Sequence, residues 1–223
     1  VPVTSHASGS LQSQWRTDLG VFIAGLVAAN LELRLHAGGS VKTSSASVAP
    51  TSQAIFADVV GQFPYTGSGA VEVVSSQAMV ASSRTYNLVA PSAACYPGGT
   101  FGQEYRASRT SEGLAAGESG WLTQLVETAA YRTNIALTNT GTAAAAVKVE
   151  LFDRIGTRVA QYDVPLAAGE WKQENRPFSS KAGRTDITAG YAKVTVTSGS
   201  GIVASASVVD NATNDPTTMA LMR

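Results

Sequence analysis

The sequence predicts an all-β chain folded as two tandem immunoglobulin-like antiparallel β-sandwich domains that arose by internal duplication. Three observations predict it. Trp15-Arg16-Thr17-Asp18-Leu19-Gly20-Val21 returns as Tyr131-Arg132-Thr133-Asn134-Ile135-Ala136-Leu137. Two further blocks return in the same order, Gly69 to Val74 as Gly190 to Val196 and Val80-Ala81-Ser82-Ser83 as Val203-Ala204-Ser205-Ala206, which excludes chance. Between the blocks, apolar residues alternate with polar ones and turn residues recur at short spacing, the pattern of strands that face a core on one side and water on the other. A repeat of about a hundred residues is the size of one sandwich.

The elements follow in order. Val1-Pro2-Val3-Thr4-Ser5 is strand-like and is set apart from the first repeat by Ala7-Ser8-Gly9-Ser10. Leu31 to Leu35 alternates apolar and charged residues and ends at the turn Gly38-Gly39-Ser40; Phe56 to Phe63 reads as a short helix, capped where the strand before it ends in Asp. Gly67-Ser68-Gly69 reads as a turn before the strand Val71 to Val73. The boundary lies in Leu88 to Gly117, where Pro91, Pro97, Gly98 and Gly99 interrupt the pattern. Thr100 to Tyr105 can add an edge strand to the first domain, leaving Ala107 to Gly117 as connector, so the domains are 1–109, with linker from about 88, and 110–223. In the second copy, Gly120 to Val126, Val147 to Leu151, Ala192 to Thr197 and Ile202 to Val209 read as strands. They are separated by Asn139-Thr140-Gly141, Asp153 to Gly156, a short helix over Asn175 to Ser180, and Ser198 to Gly201. About seven or eight strands per copy is the count of such a sandwich.

Composition narrows the function. Of 223 residues only 14% are charged, and sixteen basic residues balance sixteen acidic ones with no run of either sign, so the electrostatic footprint of a nucleic-acid binder is missing. No apolar stretch approaches the roughly 20 residues of a membrane span. Scarce charge and abundant Ser, Thr, Ala and Val predict an exported, processed chain in an extracellular or cell-surface location. The single cysteine, Cys95, has no intrachain partner and lies in a Pro/Gly loop; it reads as an incidental thiol, an intermolecular disulfide or a reactive group.

Catalytic patterns are missing from the sequence. Its two histidines, His6 and His36, stand without HExxH or a cysteine pair, no G-x-S-x-G elbow or phosphate-binding loop occurs, and no cofactor site is expected. Carboxylates at Asp18, Asp58, Glu72 and Asp210 could pair, but Asn134 replaces Asp18 in the second copy, which suits hydrogen bonding better than acid–base work. Arg16 and Arg132 follow Trp15 and Tyr131, a spacing for stacking on the ring and pairing with a carboxylate, or for tying a strand start to a loop. Asp210, Asn214 and Asp215 offer hard oxygens for calcium, or form a polar turn before Pro216. Asn211-Ala212-Thr213 fits the N-glycosylation pattern. Trp121 and Trp171 could form a sugar-stacking platform or belong to the core.

Taken together, Val1-Pro2-Val3, Trp15 to Leu19, Ser82 to Asn87, Gly99 to Gln103, Tyr131 to Ile135 and Val208 to Thr217 resemble a tandem β-sandwich region of uncharacterised secreted bacterial proteins, found in some cases C-terminal to exported proteases. The resemblance spans essentially the whole chain. It implies extracellular location and a non-catalytic role, and carries over no catalytic residue. Two expectations of function follow. The first is a structural or adhesive subunit that associates with copies of itself, as a filament or surface layer, through its terminal strands at Val1, Pro2, Val3, Met219 and Leu221; pairing of those strands within their own domains is the competing arrangement. The second is a carbohydrate- or surface-binding accessory module of a secreted enzyme, with Trp121, Trp171 or Tyr131 on an exposed aromatic face.

Overall fold

A computed structural model describes residues 1–91 and 98–223 of the chain. It is all-β, with several antiparallel sheets, and the chain divides into two compact units, Val1–Ala107 and Ser108–Arg223. Cys95 lies outside the described residues.

Unit 1 contains β1 (Thr4–Ser8), β2 (Gln14–Ile23), β3 (Ala29–Ala37), β4 (Ser40–Val48), β5 (Gln53–Phe56), β6 (Gly67–Ser75), β7 (Met79–Val89) and β8 (Gly99–Arg106). One run of paired strands is β4-β3-β6-β1; the other is β1-β2-β7-β8, with β5 on the free side of β2. Strand β1 belongs to both runs. Thr4 to His6 pair with β6 and Ala7 and Ser8 pair with β2. The period-two pattern decides the core: Leu19, Val21 and Ile23 of β2 meet Leu31, Leu33 and Leu35 of β3 and Val71 of β6, while Glu32, Arg34 and His36 fall on the opposite face.

Unit 2 contains β9 (Leu114–Ala115), β10 (Ser119–Glu127), β11 (Tyr131–Asn139), β12 (Ala145–Phe152), β13 (Arg158–Leu166), β14 (Trp171–Asn175), α1 (Pro177–Ala182), β15 (Ile187–Ser198), β16 (Ser200–Asp210) and β17 (Pro216–Ala220). Its sheets run β10-β15-β12-β13 and β14-β11-β16-β17, with β9 also on β16. Val147, Val149 and Leu151 of β12 and Ala192, Val194 and Val196 of β15 share one core with Ile135 and Leu137 of β11 and Ile202, Ala204 and Ala206 of β16.

Several expectations are corrected. Phe56 to Phe63 is not helical: residues 57–64 form turns, and Asp58 adopts a left-handed φ of 45°. Only the second crossover winds into a helix, α1. In neither unit does the residue ending the strand cap the crossover. The Asp18 carboxylate of β2 accepts the Asp58 N–H at 2.9 Å, and the Glu127 carboxylate of β10 accepts the N–H groups of Ser179 at 2.7 Å and Phe178 at 3.3 Å. Both caps are brought from distant strands, which no local pattern encodes. Gly67-Ser68-Gly69 is not a turn but the start of β6, where a side chain at Gly69 would strike the His36 carbonyl across the ladder. Thr100 to Tyr105 does extend a sheet, as part of β8 on β7.

Thr17 and Thr133 are buried and each binds the strand that precedes it. The Thr17 hydroxyl accepts the Ser5 N–H at 2.8 Å and lies 2.9 Å from the Thr85 hydroxyl; the Thr133 hydroxyl donates to the Val126 carbonyl at 2.8 Å. Thr17→Val strands a buried N–H and should lower stability by about 1–3 kcal/mol, read as the urea midpoint. Burial holds the Glu127 carboxyl above the ordinary 4.5, outweighing the two N–H donors. A carboxyl raised in the folded state contributes stability that is fully present below its unfolded value and is lost as the pH rises through the folded one. Wild-type stability should therefore fall as pH climbs from 4.5 through that window. In Glu127→Gln this part of the slope should vanish in pH-dependent urea titrations.

Candidate aromatic binding face

The strands that bury Val149, Leu151, Ala192 and Val194 necessarily turn their alternate residues outward. On β12 these are Lys148, Glu150 and Phe152, and on β15 Tyr191, Lys193 and Thr195. Antiparallel register aligns them in rows: Ser119, Thr195 and Lys148; Trp121, Lys193 and Glu150; then Tyr191 and Phe152. The result is a sheet face with aromatic rings at one end and hydroxyl and charged groups at the other.

The rings touch. Phe152 and Tyr191 stack with centroids 4.9 Å apart and planes 7° from parallel, and Trp121 tilts against both, at 5.9 Å from Tyr191 and 6.4 Å from Phe152. Trp121 remains 38% exposed. Its backbone is pinned on both sides, by β15 and by a two-bond bridge to Met222 with N to O distances of 2.7 and 2.9 Å. The Lys193 ammonium lies 5.5 Å from the centre of the Trp121 ring. Glu150, directly opposite Lys193 in register, is engaged elsewhere: Arg158 Nη1 reaches its Oε1 at 2.7 Å and also donates to Gln161.

The expected partnership of Trp121 with Trp171 is not formed. Trp171 begins β14 in the other sheet of the unit, half-buried, with its Nε1 enclosed and without a hydrogen-bond partner among the described residues. Tyr131, 40% exposed, starts β11 in that same sheet. The neighbours that Trp121 does have, Tyr191 and Phe152, were readable: both sit at outward positions of strands whose other outward residues are polar.

The remaining candidates are placed as follows. Arg132 is buried and donates to the side-chain oxygens of Asn211 and Asn214, each at 2.8 Å. Asp210 accepts the N–H groups of Ala212 and Thr213, and these bonds hold its carboxyl below the usual range. Two of the residues expected to hold calcium, Asp210 and Asn214, thus spend side-chain oxygens on a turn built around a guanidinium, while Asp215 joins it through its backbone, its carbonyl accepting the Asp210 N–H at 3.0 Å. Asn211 also donates to the Ala129 carbonyl, so its amide is tied at both ends. Arg16 donates to the Trp15 carbonyl and lies 3.6 Å from Asp58, which His6 meets at 2.7 Å; these contacts fasten β1 and β2 to the crossover turn. The rings that receive cations among the described residues are Tyr86, Tyr162 and Trp121, not Trp15 or Tyr131. His36 and Arg34 share Glu72 on the outer face of β3 and β6, and Arg34 also grips Glu32. No serine hydroxyl bonds either histidine among the described residues, and no cluster of metal-ligating side chains is found there.

The terminal strands are paired within their own units. Val1 bonds Val71, Val3 is buried, and Met219 and Leu221 pack against the unit 2 core while β17 pairs with β16. Pro2 precedes the ladder of Thr4 to His6 on β6. A cleft of about 550 Å³ opens over β2, β5, β7 and β8, lined by Asp18, Gly20, Ser82 and Arg84 among others. Arg84 there is occupied with Thr100 and the Tyr86 ring, and Asp18 with Asp58 and Tyr86. No helix among the described residues is long and apolar enough to cross a membrane. No protein-family model matches the chain, and no curated protein matches it.

Millimolar calcium should leave the melting temperature unchanged, since Arg132 holds the centre of the Asp210 turn; a rise of several degrees in a calorimetric scan would show that the turn takes the ion.

Proposed function

We propose that the chain is an extracellular, non-catalytic module of two tandem immunoglobulin-like sandwiches, derived by duplication, that binds polysaccharide through the aromatic face of unit 2. The observation that carries the reading is the contiguous group Trp121, Tyr191 and Phe152 on the outward face of a sheet, with Trp121 partly open to solvent. Rings on a sheet's solvent side offer apolar, weakly polarised surface that the C–H faces of a sugar can cover, and the adjoining hydroxyl, amide and charged groups can meet its hydroxyls. Duplication is favoured by register as well as sequence: Arg34 faces Glu72 and His36 faces Ala70 as Glu150 faces Lys193 and Phe152 faces Tyr191. An extracellular setting is favoured by the low charge and by the resemblance to secreted bacterial sandwiches.

Self-assembly by exchange of terminal strands is the competing reading. It requires opening the ladders that Thr4 to His6 make with β6 and that β17 makes with β16 and re-forming them in a neighbouring copy, so the hydrogen-bond count does not favour it.

Affinity electrophoresis against a panel of neutral and acidic polysaccharides tests the proposal. Trp121→Ala should weaken binding about tenfold, the order of one aromatic contact, with the thermal midpoint little changed. Equal retardation of wild type and variant, or no retardation by any polysaccharide, would remove the aromatic face as a site. Light scattering on the same samples should give the monomer mass; filaments would favour strand exchange instead.

A further inference from the structure

Resting on that reading of the face, we infer that its glycan is an acidic one bearing uronate carboxylates, and that Lys193 is the residue that selects it. The outward rows of β10, β12, β13 and β15 carry Lys148, Arg158 and Lys193 against Glu150 and Asp163, one cation in excess. Arg158 and Glu150 neutralise each other at 2.7 Å, while Lys148 and Asp163 face each other in register without forming an ion pair, at a distance from the rings. Lys193, like Lys148, has no carboxylate within ion-pair distance among the described residues, although its register partner is a glutamate, and of the two it is the one that lies against the aromatic group.

Its ammonium rests over the Trp121 ring instead. That contact satisfies the cation only in part, because attraction to a ring quadrupole at an exposed site is weaker than a charge-assisted hydrogen bond to an anion. A carboxylate arriving beside the rings therefore draws the ammonium off Trp121, and the ring surface so uncovered is available to the sugar that carries the carboxylate. A neutral sugar has to displace the same ammonium with nothing to offer it. The lysine thus acts against neutral chains as well as for acidic ones, and discrimination comes from both terms. The flexible four-carbon stem of lysine permits such a swing where the planar fork of arginine would not.

The test is calorimetric titration of the full chain with polygalacturonate and with its fully methyl-esterified form, which keeps the backbone and removes the charge. Wild type should bind the acid form about tenfold more tightly, the scale of one hydrogen bond to a charged group, and lose that advantage in high salt. Lys193→Gln should lose the preference and leave binding of the ester unchanged or improved. Trp121→Ala should weaken both. Equal binding of acid and ester by wild type, or an undiminished preference in Lys193→Gln, would overturn the inference while leaving the glycan face intact. Failure of wild type to bind these or any neutral polysaccharide would overturn the glycan reading itself. Unchanged melting curves for both variants establish that folding is not what is being measured.

Discussion

The register of β12 against β15 is the constraint on which the rest of unit 2 depends. Val147 opposes Val196, Val149 opposes Val194 and Leu151 opposes Ala192, all in the core, so Glu150 must oppose Lys193 and Phe152 must oppose Tyr191 on the other face. A slip of one residue would drive a glutamate and a lysine into the apolar layer, at the cost of desolvating both. The inner row therefore holds the outer one in place. The rings meet because the core beneath them leaves no other register.

What closes the ends of the sheets is polar and comes from afar. Thr17 and Thr133 take up backbone groups of the preceding strand, Asp18 and Glu127 take up the N–H groups exposed where the chain crosses over, and Arg132 organises the turn at Asn211 and Asn214. These groups are matched outside their own strand, because loops that leave a sheet lose their ladder bonds and must find others. Arg132, Thr17, Thr133 and Asp18 of the Arg-Thr-Asp/Asn motif thus serve the scaffold, while in unit 2 the crossover is held by Glu127 from outside the motif.

Much of this was legible in the sequence. Strands with strict alternation, such as Leu31 to Leu35 and Val147 to Leu151, announced both their type and their buried face, and hairpin glycines such as Gly38 and Gly39 sit at the left-handed φ values their turns demand. Less legible were features set by tertiary partners. The first crossover, Phe56 to Phe63, has a helix-like pattern but is held as turns by Asp18 and the Thr17 carbonyl. Gly67 to Gly69 resembled a turn because glycine serves close strand approach as readily as reversal. The two tryptophans do not share a face: one indole lies on β10 and the other on β14, and composition cannot tell which sheet a tryptophan joins.

The two units differ on the outward faces of their paired strands. Where unit 2 sets Glu150 against Lys193 and Phe152 against Tyr191, unit 1 sets Arg34 against Glu72 and His36 against Ala70. There the polar groups close on one another: Glu72 takes both His36 and Arg34, and Arg34 takes Glu32 as well. Such a ladder satisfies its own cations and presents no ring, so it has little to offer a ligand beyond a solvated surface. Unit 2 exchanges the sign of the central pair, diverts its glutamate to Arg158 and fills the neighbouring places with aromatic groups. An equivalent backbone can thus carry a self-satisfied face in one unit and an unsatisfied one in the other. Folding alone would be served as well by the first arrangement, so the second is where recognition by this chain is to be sought.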